Sequence, residues 1–291
     1  MIWLVGNAGM LGQEVERLLC RRDLRYVASD REVDITAASV VEEFVAANRP
    51  RWVMNCAAYT AVDRAEDEPG AAWRLNALGP ENLARVCAAY GTRLVHVSTD
   101  YVFDGTAADA YAEDTPPNPI GVYGTTKAEG ERRIAAALDE HIICRTAWLF
   151  GPGGGNFVAT MLRLFVERPE ISVVADEHGR PTYAPDLAGA LIDLVETGAP
   201  FGIYHFANSG ATTWFEFARE IQVRAAQRNL VPATCRVVPT TAAAYGLRAH
   251  RPANSVLATG RIEQVLGRAP RPWWDALSDY LEAIVAGQCA C

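Results

Sequence analysis

From its second residue the chain alternates short apolar runs with helical repeats, and that rhythm constrains the fold more than any other feature. Ile2–Val5 reads as a buried strand, and Leu11–Cys20 as a helix with Leu11, Val15, Leu18 and Leu19 on one face. Arg25–Ala28 is a second strand, Ala38–Ala47 a second helix and Trp52–Asn55 a third strand. The helical stretch Ala71–Ala89 follows, then the strand Leu94–Ser98, the helix Tyr123–Leu138 and the strand His141–Arg145. Strands that are each followed by a helix pair in parallel, because the helix carries the chain back to its starting edge. An α/β fold is expected, a doubly wound parallel sheet with helices on both faces.

After Arg145 the rhythm changes. Gly151-Pro152-Gly153-Gly154-Gly155 is a breaker cluster, and Phe157–Glu167 reads as a helix. Asp186–Glu196 and Ile203–Phe206 look like one more helix and strand of the sheet. Thr213–Gln227, capped by Thr212 or Thr213, and Trp274–Ala286 are further helices. Residues 1–150 are expected to form a dinucleotide-binding domain to which segments near 183–207 return. Residues 151–291 should mainly form a smaller α/β substrate-binding domain, ending in a frayed tail at Gly287–Cys291.

Gly6-Asn7-Ala8-Gly9-Met10-Leu11-Gly12 joins the first strand to the first helix. Glycines at such a turn let the backbone approach a pyrophosphate, which then sits on free N–H groups at the positive end of the helix. The spacing is G-x-x-G-x-x-G, and a plain tight turn would also use glycine. At the head of this alternation it favours a Rossmann-like dinucleotide site, with Gly6, Gly9, Met10, Leu11 and Gly12 at the cofactor. Asp30, 18 residues past Gly12, stands where a carboxylate would bind the adenosine ribose, or serves as a turn residue. Arg31 would suit a 2′-phosphate, so NADPH and NADH both stay open. Asp34 and Ile35 offer a carboxylate and an apolar contact for adenine, or a cap for the next helix. Ala58, Tyr59 and Thr60 follow the third strand, where small residues admit a cofactor at the carboxyl ends of parallel strands.

Of the 27 basic residues, 26 are arginine and one, Lys127, is lysine. Arginine cannot replace lysine where a compact point charge is needed. Lys127 stands four residues after Tyr123, so on a helix both side chains leave the same face. A phenol titrates near 10, and a cation one turn away would lower that value and make its proton available. An unrelated surface pair would show the same spacing. Thr99, in Val97-Ser98-Thr99-Asp100, ends a strand where its hydroxyl could donate to a carbonyl oxygen gaining charge, or simply form a turn. The following Tyr123 and Lys127 favour the first role.

Other classes find little support. A net charge of −8 gives no footprint for nucleic acid or anionic lipid. No apolar run approaches the ~20 residues of a membrane span, and the N-terminus reads as a strand and not a signal peptide. Seven scattered cysteines without a C-x-x-C pair fit a reduced cytoplasm. There is no G-x-S-x-G elbow. Histidines 96, 141, 178, 205 and 250 show no metal spacing. Glu66-Asp67-Glu68 reads as a solvated helix start.

With Thr99, Tyr123 and Lys127 in place, the chain resembles the extended short-chain dehydrogenase/reductases, most of all the dTDP-4-dehydrorhamnose reductase branch. The likeness runs through Ala61–Glu66, Ser98–Gly105, Tyr123-Gly124-x-x-Lys127-x-x-Gly130-Glu131, Arg145–Trp148, Gly179-x-Pro181-Thr182 and Arg251-Pro252-x-Asn254-Ser255. It implies Tyr123 as general acid, Lys127 as its pKa partner and ribose anchor, and Thr99 as donor to the substrate O4. Asp100 and Trp148 would hold the dTDP-sugar, and Val97 would join the cofactor-lining residues. The implied reaction is hydride transfer from NAD(P)H to the C4 carbonyl of dTDP-4-dehydro-β-L-rhamnose. A reductase of another dTDP-4-keto-6-deoxyhexose is an alternative, as is a regulatory relative of the methionine adenosyltransferase β-subunit type. A dehydratase would need a second carboxylate where Tyr101 stands. Some relatives dimerise through magnesium held by glutamates. Glu14 matches one such position but Pro185 occupies another, so no metal is expected, and a homodimer stays open.

Overall fold

The structure, a computed structural model, describes residues 1–287. A six-stranded, wholly parallel sheet forms its centre: β1 (Ile2–Val5), β2 (Tyr26–Ser29), β3 (Trp52–Asn55), β4 (Arg93–Thr99), β5 (His141–Thr146) and β6 (Gly202–His205). Their spatial order is β6-β5-β4-β3-β1-β2. The chain therefore steps outward from β1 to β2, then back across to β3. That reversal opens a crevice at the carboxyl ends of β1 and β3, where ligands of such sheets bind.

Strand side chains alternate between two cores, as a period of two requires. Ile2 and Leu4 of β1 meet Leu11, Val15 and Leu19 of α1 (Met10–Arg21) on one face. Trp3 and Val5 meet Val41 and Val45 of α2 (Ala38–Asn48) on the other. The same division sends Met54 and Val95 to the first core, and Val53 and Leu94 to the second. A late helix, α6 (Ala184–Glu196), packs Leu187, Leu191 and Leu194 into the first core beside α1, and β6 pairs with β5.

The expected single helix over 71–89 is three continuous pieces: Pro69–Trp73, a π-helical turn Arg74–Leu78, and α3 (Gly79–Tyr90). The wide turn sets Asn76 against the loop after β3. Its side chain accepts from Tyr59 N–H (2.8 Å) and donates to Tyr59 O (3.0 Å) and Thr126 Oγ1 (3.2 Å). Thr126 lies on α4 (Val122–Ala137), so one amide joins the third strand's loop to the helix bearing Tyr123 and Lys127.

Three further long helices are α5 (Phe157–Glu167), α7 (Trp214–Gln227) and α8 (Trp273–Val285), beside the short helices Val62–Ala65, Ala242–Tyr245 and Gly260–Leu266. Thr213 closes a capping box with Glu216 at the start of α7, selecting one of the two caps expected. The three long helices share an aromatic core of Phe150, Phe165, Phe217, Trp273 and Tyr280. Short strands, 170–174 with 236–240 and 149–150 with 182–183, were not legible as periodic runs. No described helix is long and apolar enough to cross a membrane. Of the tail expected at 287–291, residues 288–291 lie outside the described chain.

One buried ion pair joins α4 to β5. Arg145, 1% exposed, makes a forked contact with Glu131 (Nη2–Oε2 2.7 Å, Nε–Oε1 3.0 Å) and lies over the Phe103 ring. Removing one partner strands a buried charge, whereas an apolar pair of similar size does not. Glu131→Ala is expected to lose about 3–5 kcal/mol in denaturant unfolding. The double change Glu131→Met with Arg145→Met should recover most of that loss.

Candidate functional site

A cleft of ≈ 950 Å³ opens at the crevice predicted by the strand order. Its inner end is the turn from β1 into α1. The first turn of α1 has no side-chain cap, leaving its N–H groups directed outward. At Gly12 a Cβ would lie 2.1 Å from Gly6 O, so only glycine lets α1 start this close to the strand. Gly6, Gly9, Met10, Leu11 and Gly12 all line the cleft, with Asp30, Arg31, Asp34, Ile35, Ala58, Thr60 and Val97. Asp34 also accepts Thr36 N–H at 2.9 Å in the turn before α2, but it does not cap that helix, which starts from Ala37 without a side-chain cap. Tyr59 departs from expectation. It is not among the lining residues: its hydroxyl donates to Glu68 (2.8 Å) and its backbone is tied to Asn76.

At the other end, Thr99, Asp100, Tyr123, Lys127 and Trp148 line the same space. Thr99 is the last residue of β4 and caps the 3-10 turn Asp100–Val102. Its Oγ1 accepts Tyr101 N–H at 3.2 Å and donates to Asp100 Oδ1 at 2.9 Å. Gly124 lets α4 press against that turn, since a Cβ there would lie 2.1 Å from Tyr101 O. Glu66, expected to be solvated, instead accepts Val122 N–H at 2.8 Å at the start of α4.

Lys127 is 1% exposed and donates to Val97 O at 2.7 Å, with Nζ 3.1 Å from His96 Nε2. Burial lowers its pKa to about 8, against the pull of Glu131 and Cys56. The phenol of Tyr123 is not lowered in this setting. Burial pushes it up to about 12, the hydrogen bond with Thr99 works against that, and the Asp100 charge adds to it. The reason is geometric: the amine is turned to β4 and spent on Val97 and His96. Asp100 is driven up to about 6 by burial, which the nearby hydroxyls of Ser255 and Thr99 counter only in part.

Ser98 Oγ, Asp100 Oδ2 and Thr146 Oγ1 are buried without a hydrogen-bond partner, all at the ends of β4 and β5. Unpartnered buried polar atoms of this kind are costly unless a ligand satisfies them. Together with the uncapped helix end and the glycine cradle, they fit a nicotinamide dinucleotide.

Comparison with known proteins gives the same answer. The family model described as "RmlD substrate binding domain" matches residues 1–286. A dTDP-4-dehydrorhamnose reductase of Streptomyces griseus is 45% identical over 289 residues, 97% of this chain and 93% of that protein. This chain belongs to the RmlD family of reductases. A crystal structure of the Bacillus anthracis dTDP-4-dehydrorhamnose reductase, in complex with NADP, superposes with a TM-score of 0.90 at 37% identity, covering 97% of this chain and 98% of that one.

In this RmlD-family chain several cleft residues escaped the sequence reading. Trp214 stacks on Trp148 with ring centroids 3.5 Å apart, and its Nε1–H donates to Glu177 at 3.2 Å. Trp148 itself sits at φ 46, a left-handed conformation costly for a bulky residue. Gly154 and Gly155 of the breaker cluster and Phe157 also line the cleft. Only the positions of Trp214 and Phe157 near helix starts hinted at this. Glu14, the position matched to a metal glutamate, is buried and paired with Arg17.

The raised Asp100 carboxyl has a signed consequence. Its folded pKa, about 6, exceeds an unfolded value near 3.9, so the folded state holds the proton more tightly. The group therefore costs no stability below about pH 4. Its penalty grows as pH rises through that window, reaching about 3 kcal/mol at most above pH 6. Asp100→Asn should match the wild type in urea unfolding near pH 4, and exceed it by roughly 1–3 kcal/mol at pH 7.5.

Proposed function

We propose that this protein reduces the C4 carbonyl of dTDP-4-dehydro-β-L-rhamnose to dTDP-β-L-rhamnose with NADPH or NADH. The observation that carries the reading is the meeting of Thr99, Tyr123 and Lys127 with the glycine turn in one cleft. The relatives named above support the substrate, and the NADP complex of the Bacillus anthracis reductase supports the cofactor. Arg31 beside Asp30 leaves room for either dinucleotide.

The nicotinamide, when bound, supplies hydride to the carbonyl carbon. Thr99, at the end of a rigid strand, then turns its single hydroxyl hydrogen from Asp100 to the developing oxyanion. Tyr123 delivers the proton to that oxygen and is left as phenolate, which solvent reprotonates. Lys127 anchors the ribose and supplies positive charge when protonated, lowering the cost of that phenolate. The Trp148–Trp214 stack gives the deoxysugar a flat apolar wall. We place the enzyme in the cytoplasm. The described cysteines are all unpaired, which supports a reducing setting.

A second substrate is favoured by one relative. A Streptomyces antibioticus protein, 42% identical over 292 residues, is named a probable dTDP-4,6-dihydroxy-2-methyloxan-3-one 4-ketoreductase. The deciding experiment generates the 4-keto sugar in situ with the upstream enzymes, follows nicotinamide absorbance, and reads the product's C4 and C5 configuration by NMR. Wild type should consume reduced cofactor and yield dTDP-β-L-rhamnose. Tyr123→Phe should lose about 100- to 10,000-fold in kcat, with cofactor affinity retained. Consumption equal to that of Tyr123→Phe would overturn the reductase reading, and a different product configuration would transfer it to the second substrate.

A further inference from the structure

Behind Lys127 runs a line of buried polar groups whose direction is set by a backbone amide. Ala57 N–H donates to Asn55 Oδ1 at 3.0 Å. An N–H can only donate, so the amide oxygen of Asn55 is committed to it and the Nδ2 hydrogens point the other way. There they meet His96 Nδ1 at 3.0 Å, which must accept. A neutral imidazole that accepts at Nδ1 carries its hydrogen on Nε2. That Nε2 faces Lys127 Nζ at 3.1 Å. Asn55 and His96 are both fully buried, so no solvent molecule relieves a donor facing a donor. The line closes only if Nζ accepts. A neutral amine does so while still donating to Val97 O at 2.7 Å, and one hydrogen remains for the cleft.

We propose that His96 is a positioning residue that presents Nε2–H to Lys127 and, above neutral pH, holds it as a hydrogen-bond-accepting amine. The proposal rests on the functional reading only in naming Lys127 as part of the active site. It makes Asn55 and His96 determinants of the amine's protonation. The groups facing Lys127 accord with it. From β4 there is His96, kept neutral above all by its burial. From the loop after β3 there is Cys56, whose thiol burial pushes up to about 12, so it stays protonated. On α4 itself Tyr123 stays a phenol, and Glu131, the one anion, is engaged by Arg145. His141 acts on His96 and disfavours its charged form.

The composition provides the test, because Lys127 is the chain's only lysine. Full-length protein labelled with [13C]lysine gives a single Cε signal, and its shift against pH reads this amine directly without added nucleotide. [15N]Histidine labelling reports which ring nitrogen of His96 carries the hydrogen, with His96 identified by the signal lost in His96→Gln. The expected result is a lysine midpoint near 8 and an Nε2–H tautomer. His96→Gln, which can turn a carbonyl oxygen to the amine, should raise the midpoint by about one pH unit or more. Asn55→Asp, which reverses the line without changing its shape, should do the same and move His96 to Nδ1–H.

A wild-type midpoint at or above the ordinary lysine value of about 10.4 overturns the proposal, as does an Nδ1–H tautomer in the wild type. A low midpoint unmoved in both variants reduces His96 to a packing residue and also overturns it. If His96→Gln does not fold, Asn55→Asp and the wild-type tautomer decide. None of these readouts uses substrate. A chain that turns over no sugar but shows the low, His96-dependent midpoint loses the functional reading and keeps this one.

Discussion

The arrangement of the site depends on one contact, the burial of the Lys127 amine against the carbonyl of Val97. Taking an ammonium out of water is expensive, and the molecule meets that cost by lowering the amine's pKa and not with a counter-ion. The carboxylate one turn along the helix, Glu131, is engaged by Arg145. The amine is therefore left with neutral partners on β4, a carbonyl and an imidazole. This contact locks α4 to β4 at a fixed height, and that height places Tyr123 beside Thr99. The Asn76 amide does the same from another side, bonding Thr126, the residue just before Lys127.

Much of this was written in residue types. The continuous apolar run Ile2-Trp3-Leu4-Val5 read as a buried strand of a sheet covered on both faces, and the structure sends its side chains to two different cores. The glycine turn, Asp30, Thr99 and the Tyr123–Lys127 spacing all came together in one cleft. What failed to show was of a different physical kind. A π-helical turn has no hydrophobic period distinct from an α-helix over five residues, so 71–89 read as one helix. Two-residue strands carry no period at all. Trp214 looked like an ordinary first residue of an amphipathic helix. Its partner, Trp148, lies 66 positions earlier, and only tertiary packing joins them. Tyr59 was misplaced because strand-end loops do not announce which side chains turn inward.

Several residues that mark the family resemblance are engaged in clasping one part of the chain to another. Asp63, on the short helix Val62–Ala65, takes a forked contact from Arg251 (2.7 and 3.2 Å) and the N–H of Ala249 (3.0 Å), tying the late chain to that helix. Asn254 donates to the carbonyls of Ala107 (2.8 Å) and Asp109 (3.1 Å). These bonds fasten the late segment 249–257 to the body of the molecule, where Tyr111 also pairs with Leu257 through the backbone. A recurring motif in such a fold can thus signify clasping as readily as catalysis, and burial with a satisfied partner tells the two apart.

The same criterion explains where the molecule leaves stability unclaimed. Arg145 and Glu131 are buried but mutually satisfied, which is a structural use of charge. Asp100, Ser98 and Thr146 are buried with atoms unsatisfied, at the place where β4 and β5 end together. A fold selected for stability alone would fill those positions with apolar groups. Retaining them costs free energy in the protein by itself, and that cost is offset only when another molecule brings donors and acceptors of its own. The left-handed Trp148 beside them carries a similar cost in its backbone. Unsatisfied polarity at the shared end of β4 and β5, beside a left-handed Trp148, is the physical signature of a surface preorganised for a substrate.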